Sequence, residues 1–434
     1  MLSRLARSPY VIALAVFVGL ATRLFLIVRS GNLPEGILGG GSDAPAYILL
    51  SNSIFDGHGM TYVGQPTALR APLYPMLLAG LRVIFGGQSL LVMRLLQFLA
   101  AILTAWLCGK TAALLSSEDS KWTAYALALC APTLVFFTSQ ILTEAFTALL
   151  VAAFFYFLTR CSLLEETRSL AAMGLCAGLL LLLRFNTLAF PAIAALAALR
   201  FPPTFTSIKR ACIPVALALL LVSPWLIRNY VVFHGGILFS SQTGTTALQG
   251  AITPDGRTQP QGLTDLYKRQ GWSLLHIETD KPMRLQFPSE SVLNQQARRE
   301  AFRAWSELGF GVVPLLLKKT AFFWLSTDQL LDTASFSVSQ RILRASGVIL
   351  YWCLLAAAIF GWLRLKNSST RIAALFLLYA VFSTILHLPF TMNTRLRSPL
   401  IEPLLCVLAA IALSAAPLPS RQNQNPELQP NGTC

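Results

Sequence analysis

Charge is what this chain has least of. Of its 434 residues only 12% are Asp, Glu, Lys or Arg, against roughly 25% in soluble domains. The apolar share is 55%, above the usual ~45–50%. This excludes a water-soluble globule of this size and leaves a membrane protein with many spans. Acidic residues are scarcest, 19 against 34 basic, for a net charge of +15. In a soluble chain that excess would suggest nucleic acid. In a membrane chain it points to topology and anionic lipid, and no nucleic-acid partner is expected. The eight cysteines form no CxxC pair and show no disulfide-like spacing, so they read as small core residues. There is no internal repeat and no soluble segment of catalytic size.

What is present is a series of apolar runs. Arg4 and Arg7 precede a run from Tyr10 to Val28 that is too long for a signal-peptide core and has no cleavage site after it. It reads as a first span entering from the cytoplasm. Further spans are expected near 89–115, 122–138, 145–159, 169–183, 187–199, 211–227, 344–363, 371–387 and 399–416. The fold expected is an all-α polytopic bundle of about ten transmembrane helices with both termini cytoplasmic. The stretch 308–327 is apolar but interrupted by Pro314 and Lys318-Lys319, and reads as a helix on the outer surface. A span there would put Arg364, Lys366 and Arg371 outside, against the positive-inside rule. The organisation expected is an N-terminal module at 1–228 whose first external loop is 29–88, a large external segment at 229–342, C-terminal helices at 343–416, and a polar tail at 417–434.

Ionisable groups close to membrane depth are expensive and usually functional, so the candidates lie at outer helix ends. Asp43 stands where a helix begins, with Tyr47, Leu50 and Ile54 repeating on one face. It can be an N-cap, a carboxylate held above the bilayer, or both. Arg70 sits among Pro66, Pro72 and Pro75, which stiffen the backbone, and either snorkels to headgroups or meets substrate. Glu144 is the only charge between Lys121 and Arg160 and also stands at a helix start. Arg184, Arg228, Arg395 and Arg397 interrupt apolar stretches at outer turns. Singly each can snorkel; together they suggest an anion-binding ring, because guanidinium donates to phosphate in pairs. His58, alone between two glycines, has no partner ligand in the pattern, and no metal is expected. Gln295–Trp305 reads as a basic amphipathic helix.

Ser42–Tyr47, Arg70–Pro75, Arg94–Gln97, Leu142–Glu144, Leu183–Thr187, Pro224–Tyr230, Arg395–Pro399 and Glu402-Pro403, in that order and at those topological places, resemble the GT-C class of membrane glycosyltransferases. The nearer likeness is to the bacterial family related to dolichyl-phosphate-mannose-protein mannosyltransferases (glycosyltransferase family 39) and to the aminoarabinose transferase of lipid A. The resemblance implies a long first external loop with membrane-surface helices and a polyprenyl-phosphate sugar donor. It also implies inverting transfer at the outer face of a bacterial cytoplasmic membrane. Asp43 takes the place of the general base and Glu144 that of the second acidic group, assigned to acceptor or sugar. Arg70, Arg184, Arg228, Arg395 and Arg397 become candidate phosphate contacts. Tyr47, Tyr74 and Asn186 become positioning residues, and no cofactor is implied. Two departures stand out. Asp43 is followed by Ala44 where eukaryotic protein mannosyltransferases have an Asp-Glu pair, and Leu396 replaces an aromatic. The expected acceptor is a glycolipid, polysaccharide or protein of the envelope. A lipid-linked saccharide flippase and an O-antigen ligase or polymerase remain the alternatives.

Overall fold

The computed structural model describes residues 8–34, 43–62, 64–200, 202–252, 290–327, 338–390, 392 and 394–414, with 338–344 by backbone alone. Arg4, Arg7, the Gly39–Ser42 run, 253–289, 328–337 and the tail at 417–434 therefore lie outside the described residues. In chain order the helices are α1 (Pro9–Ser30), α2 (Ala44–Phe55), α3 (Leu73–Phe85), α4 (Ser89–Leu115), α5 (Glu118–Cys130), α6 (Pro132–Thr138), α7 (Glu144–Leu164) and α8 (Thr167–Leu183). They continue as α9 (Ala189–Ala198), α10 (Phe205–Val232), α11 (Thr243–Ile252), α12 (Glu290–Glu307), α13 (Val312–Leu325), α14 (Val338–Ser368), α15 (Thr370–His387) and α16 (Thr394–Leu413). Among the described residues the one exception to the all-helical expectation is an antiparallel hairpin, Thr61–Tyr62 against Gln65–Pro66.

Seven helical runs among the described residues are long and apolar enough to cross a membrane, or eight if the pair α12–α13, bent by 100°, counts as one. The remaining expected crossings, at α5–α6, α8 and α9, are short or broken. The break between α5 and α6 has a clear cause. Pro132 cannot donate to the Ala128 carbonyl, and the residue before a proline is pushed to extended backbone; Ala131 has ψ 116°. Arg23 of α1 repairs the damage. Fully buried, it donates to the carbonyls of Ala128 and Leu129 and, at 3.2 Å, to Thr138 Oγ1. A charge at that depth therefore serves backbone groups that lipid cannot satisfy.

Helix α16 is central, with nearly every side chain buried. It packs on α4, α5, α7 and α14. An aromatic cluster of Phe154, Phe155, Phe190, Phe376 and Tyr379 joins α7, α9 and α15 edge to face. Glycines let backbones touch elsewhere. A Cβ on Gly174 would lie 2.7 Å from Pro214, and one on Gly178 would lie 2.8 Å from Leu221, the small-residue packing common between membrane helices. A Cβ on Gly361 of α14 would overlap the Leu408 carbonyl oxygen, whereas one on Gly80 meets nothing within 4 Å. Gly361→Ala is therefore expected to destabilise by about 1–3 kcal/mol through overpacking. Gly80→Ala should be neutral or stabilising by up to ~1 kcal/mol, since alanine is the better helix former. Thermal midpoints of the two variants in detergent check both.

At the end of α16 away from Arg395, the basic residues act as caps. Arg364 donates to the carbonyls of Ile411, Ala412 and Ser414. Arg371 donates to those of Ala197 and Leu199, closing α9. Both thereby meet carbonyls left unpaired at helix C-termini.

Candidate active site

At the opposite end, five of the residues singled out in the sequence meet. Asp43 precedes α2, and its side chain makes no capping bond. Its two carboxylate oxygens instead accept from Arg70 Nη2 and, at 2.5 Å, from Arg395 Nη1. Glu144 opens α7. Its Oε1 accepts from Arg395 Nε and lies 3.2 Å from Arg184 Nη1. Arg395 thus bridges the two carboxylates with different edges of one guanidinium. Three arginines against two carboxylates leave one net positive charge. Side-chain exposure falls from 26% at Asp43 through 17% at Arg70 and 12% at Arg395 to zero at Glu144. Only Asp43 of the two acids can meet a molecule arriving from outside.

The scaffold below is built by α4. Arg94 and Gln97, three residues apart and so on one helix face, are both fully buried. Arg94 donates to the carbonyls of Gly31, Leu33 and Ser139, tying the end of α1 to the turn before Glu144. Gln97 donates to Thr138 and Gln140 and accepts from the Tyr74 hydroxyl at 2.8 Å. Tyr74 packs edge-on against Tyr47 at 4.9 Å, and the Arg70 guanidinium lies 5.8 Å from the Tyr47 ring. The two tyrosines therefore form the floor under Asp43 and Arg70.

Other candidates lie apart from this cluster. Arg228 spends its donors on the carbonyls of Met60 and Thr67, at 3.0 and 2.9 Å, and on Asn229 Oδ1; it closes the hairpin and touches neither carboxylate. Arg397 is fully buried and donates to the carbonyls of Phe323, Trp324 and Ser326 at the end of α13. Arg395 and Arg397 are two positions apart on α16, about 200° around the helix, so they cannot face one ligand. Asn186 donates its amide to His387 Nε2 at 2.8 Å. Since His387 Nδ1 lies 2.6 Å from the Ser383 carbonyl, which can only accept, Nδ1 carries the proton and Nε2 accepts. His58 is exposed in the turn after α2, and no metal-holding group of three ligand residues occurs among the described residues.

Several contributors were not visible in sequence. Gln242 accepts from Arg70 Nη1 at 2.6 Å. Glu290, the first residue of α12, accepts from Thr67 Oγ1 and, at 3.1 Å, from Ala68 N–H. Lys319, expected at a surface, is fully buried and donates to the carbonyls of Gly250, Leu388 and Phe390 at 2.7–2.9 Å. Three carbonyls satisfy its three ammonium protons, and they secure the turn that leads to Arg395.

Burial alone would raise the pKa of Asp43, but Arg395, Arg70 and Arg184 outweigh it and hold the carboxyl at about 2, below its ordinary 3.8. A lowered pKa stabilises the fold above the ordinary value, and that contribution is lost as pH falls through the lowered one. Thermal midpoints of wild type and Asp43→Asn are accordingly expected to differ by a constant interval above about pH 5 and to converge between about pH 4 and 2.

Known proteins resemble this chain in part of its sequence and in its fold. Residues 69–227 match the family model for dolichyl-phosphate-mannose-protein mannosyltransferase; the match includes Arg70, Glu144 and Arg184. No curated protein matches the chain in sequence. Among solved structures, it is similar to the oligosaccharyltransferase of Archaeoglobus fulgidus tethered to an acceptor peptide, at 14% identity and a TM-score of 0.53, covering 93% of this chain and 49% of that one. The same archaeal enzyme, AglB, in complex with an inhibitory peptide and a dolichol-phosphate, matches at 14% identity and 0.52, over 92% and 49%. ArnT from Cupriavidus metallidurans bound to undecaprenyl phosphate matches at 13% and only 0.41, over 91% and 78%. The chain thus spans about half the length of the oligosaccharyltransferase whose fold it shares. Over nearly its whole length it shares the fold of that oligosaccharyltransferase, and across residues 69–227 it matches the mannosyltransferase family model; it is a polytopic membrane protein of that fold.

Proposed function

We propose that the protein transfers one hexose or pentose from a polyprenyl-phosphate donor to a cell-envelope acceptor, with inversion, at the outer face of a bacterial cytoplasmic membrane. The observation that carries this reading is the net-positive cluster of Arg70, Arg184 and Arg395 around Asp43 and Glu144. A phosphodiester brings one negative charge and gains a second as its bond to the sugar breaks. Guanidinium groups already in place stabilise that developing charge, so no strong general acid is needed. The acceptor oxygen attacks the anomeric carbon from the face opposite the phosphate. Its proton passes to Asp43, and the C1–O bond breaks with its electron pair going to the polyprenyl phosphate. Tyr47 and Tyr74 present an aromatic floor beneath the sugar. The dolichol-phosphate bound by the archaeal oligosaccharyltransferase supports a lipid-phosphate donor, and the acceptor peptide tethered to that enzyme leaves protein among the acceptors beside glycolipid and polysaccharide.

Lipid and glycan analysis of a deletion strain tests the proposal. The expected result is an accumulated polyprenyl-phosphate sugar together with an envelope glycan lacking one residue. An unchanged lipid-linked pool with an intact glycan profile overturns it. Accumulation confined to the inner leaflet would instead indicate a flippase.

A further inference from the structure

Resting on the transferase reading above, we infer that Asp43 and the donor phosphate compete for the same Arg395 and Arg70 N–H groups. The base is thereby locked until the donor binds, and Glu144 anchors the arginine that moves between them.

Both Asp43 oxygens are occupied by guanidinium donors. Each oxygen thus spends a lone pair on a guanidinium, and the carboxylate's proton affinity is lowered by the same contacts. A phosphodiester entering beside it offers anionic oxygens of matching spacing to the same planar donors. The two arginines are not held alike. Glu144 is wholly buried and grips Arg395 through Nε, on the edge away from Nη1. That edge stays fixed while Nη1 exchanges one oxyanion for another. Arg70 Nε has no hydrogen-bond partner among the described residues, so one donor of that guanidinium is unspent. Arg184, 3.2 Å from Glu144, keeps that carboxylate paired throughout.

Charge bookkeeping is consistent with an exchange. The free site carries one net positive charge, which a phosphodiester monoanion cancels. Transfer moves a proton onto Asp43 and a negative charge onto the departing phosphate, so the total stays zero. Arg395 follows the charge from carboxylate to phosphate. Protonated Asp43 no longer competes for the product phosphate, so product leaves only after Asp43 gives up its proton. Glu144, out of reach of the acceptor, is a positioning residue acting through Arg395.

The test is direct binding of geranyl phosphate, as a short polyprenyl phosphate monoester, to the full-length protein in detergent. Asp43→Asn removes the competing charge and keeps the shape. It is expected to bind geranyl phosphate about tenfold more tightly than wild type, the scale of one close charge pair. Glu144→Gln should bind about tenfold more weakly, with E144D regaining part of the loss and thermal midpoints reporting whether each variant is folded. Equal or weaker binding by Asp43→Asn, in a protein whose wild type transfers sugar, overturns the competition alone. If wild type neither binds geranyl phosphate nor transfers sugar, the transferase reading itself fails.

Discussion

Asp43→Asn is expected to lower the rate of sugar transfer by about 10²–10⁴-fold, the usual contribution of a positioned general base, with the protein still folded. The side chain caps no helix, and asparagine fills the same space, with its one oxygen still able to accept from one of the two arginines while its NH2 only donates. What it cannot do is accept a proton. Initial rates at saturating donor, together with a thermal midpoint measured near neutral pH, separate the two effects. A variant that keeps more than a tenth of the wild-type rate would remove Asp43 from the base role and move the search to a group delivered by the acceptor.

The second large effect concerns Arg395. Arg395→Gln deletes the link between Asp43 and Glu144 and one of the donors aimed at the phosphate. The expected loss in kcat/KM for the donor is about 10²–10³-fold, comparable to removing one preorganised donor from an oxyanion site. Arg395→Lys should recover little of it. An ammonium is a point charge without a second edge and cannot hold Glu144 through one face and an oxyanion through another. A kinetic comparison of the three proteins, with donor concentration varied, checks this. Recovery by lysine to near wild type would mean that charge alone suffices.

The helices were legible because their apolar runs are long; even the short α8 and α9, which fall below span length, announced themselves by the polar interruption Arg184-Phe185-Asn186 between them. The crossing at 122–138 was read as one rod, although Pro132 already carried the reason for its break. The repair by Arg23 was invisible, since nothing in a sequence says which distant carbonyls a buried arginine will meet. In the site, Asp43, Glu144, Arg70 and Arg184 stood out as rare charges at helix ends. The ring of arginines was only half legible. Arg395 and Arg397 were taken together although helix periodicity turns them to different sides. Arg228 looks like Arg184 in sequence, each an arginine followed by an aromatic or polar residue at a helix end. The difference lies in tertiary partners, carbonyls of a hairpin for one and a buried carboxylate for the other. Gln242 and Glu290 carried no signal, because a glutamine in a polar loop and a glutamate opening a helix are ordinary features.

Helices α8 and α9 share one end, the turn that holds Arg184. With 17 and 10 residues they rise only about 26 and 15 Å, against a hydrocarbon layer of ~30 Å. Neither is by itself long enough to cross that layer. A span too short for its bilayer draws the lipid surface inward around it. On the proposed topology the cationic cluster would sit where the hydrophobic layer is locally thinner. On the proposed function a lipid-borne donor phosphate would reach that place sideways at its own depth, and the acceptor hydroxyl would come to it from the outer face.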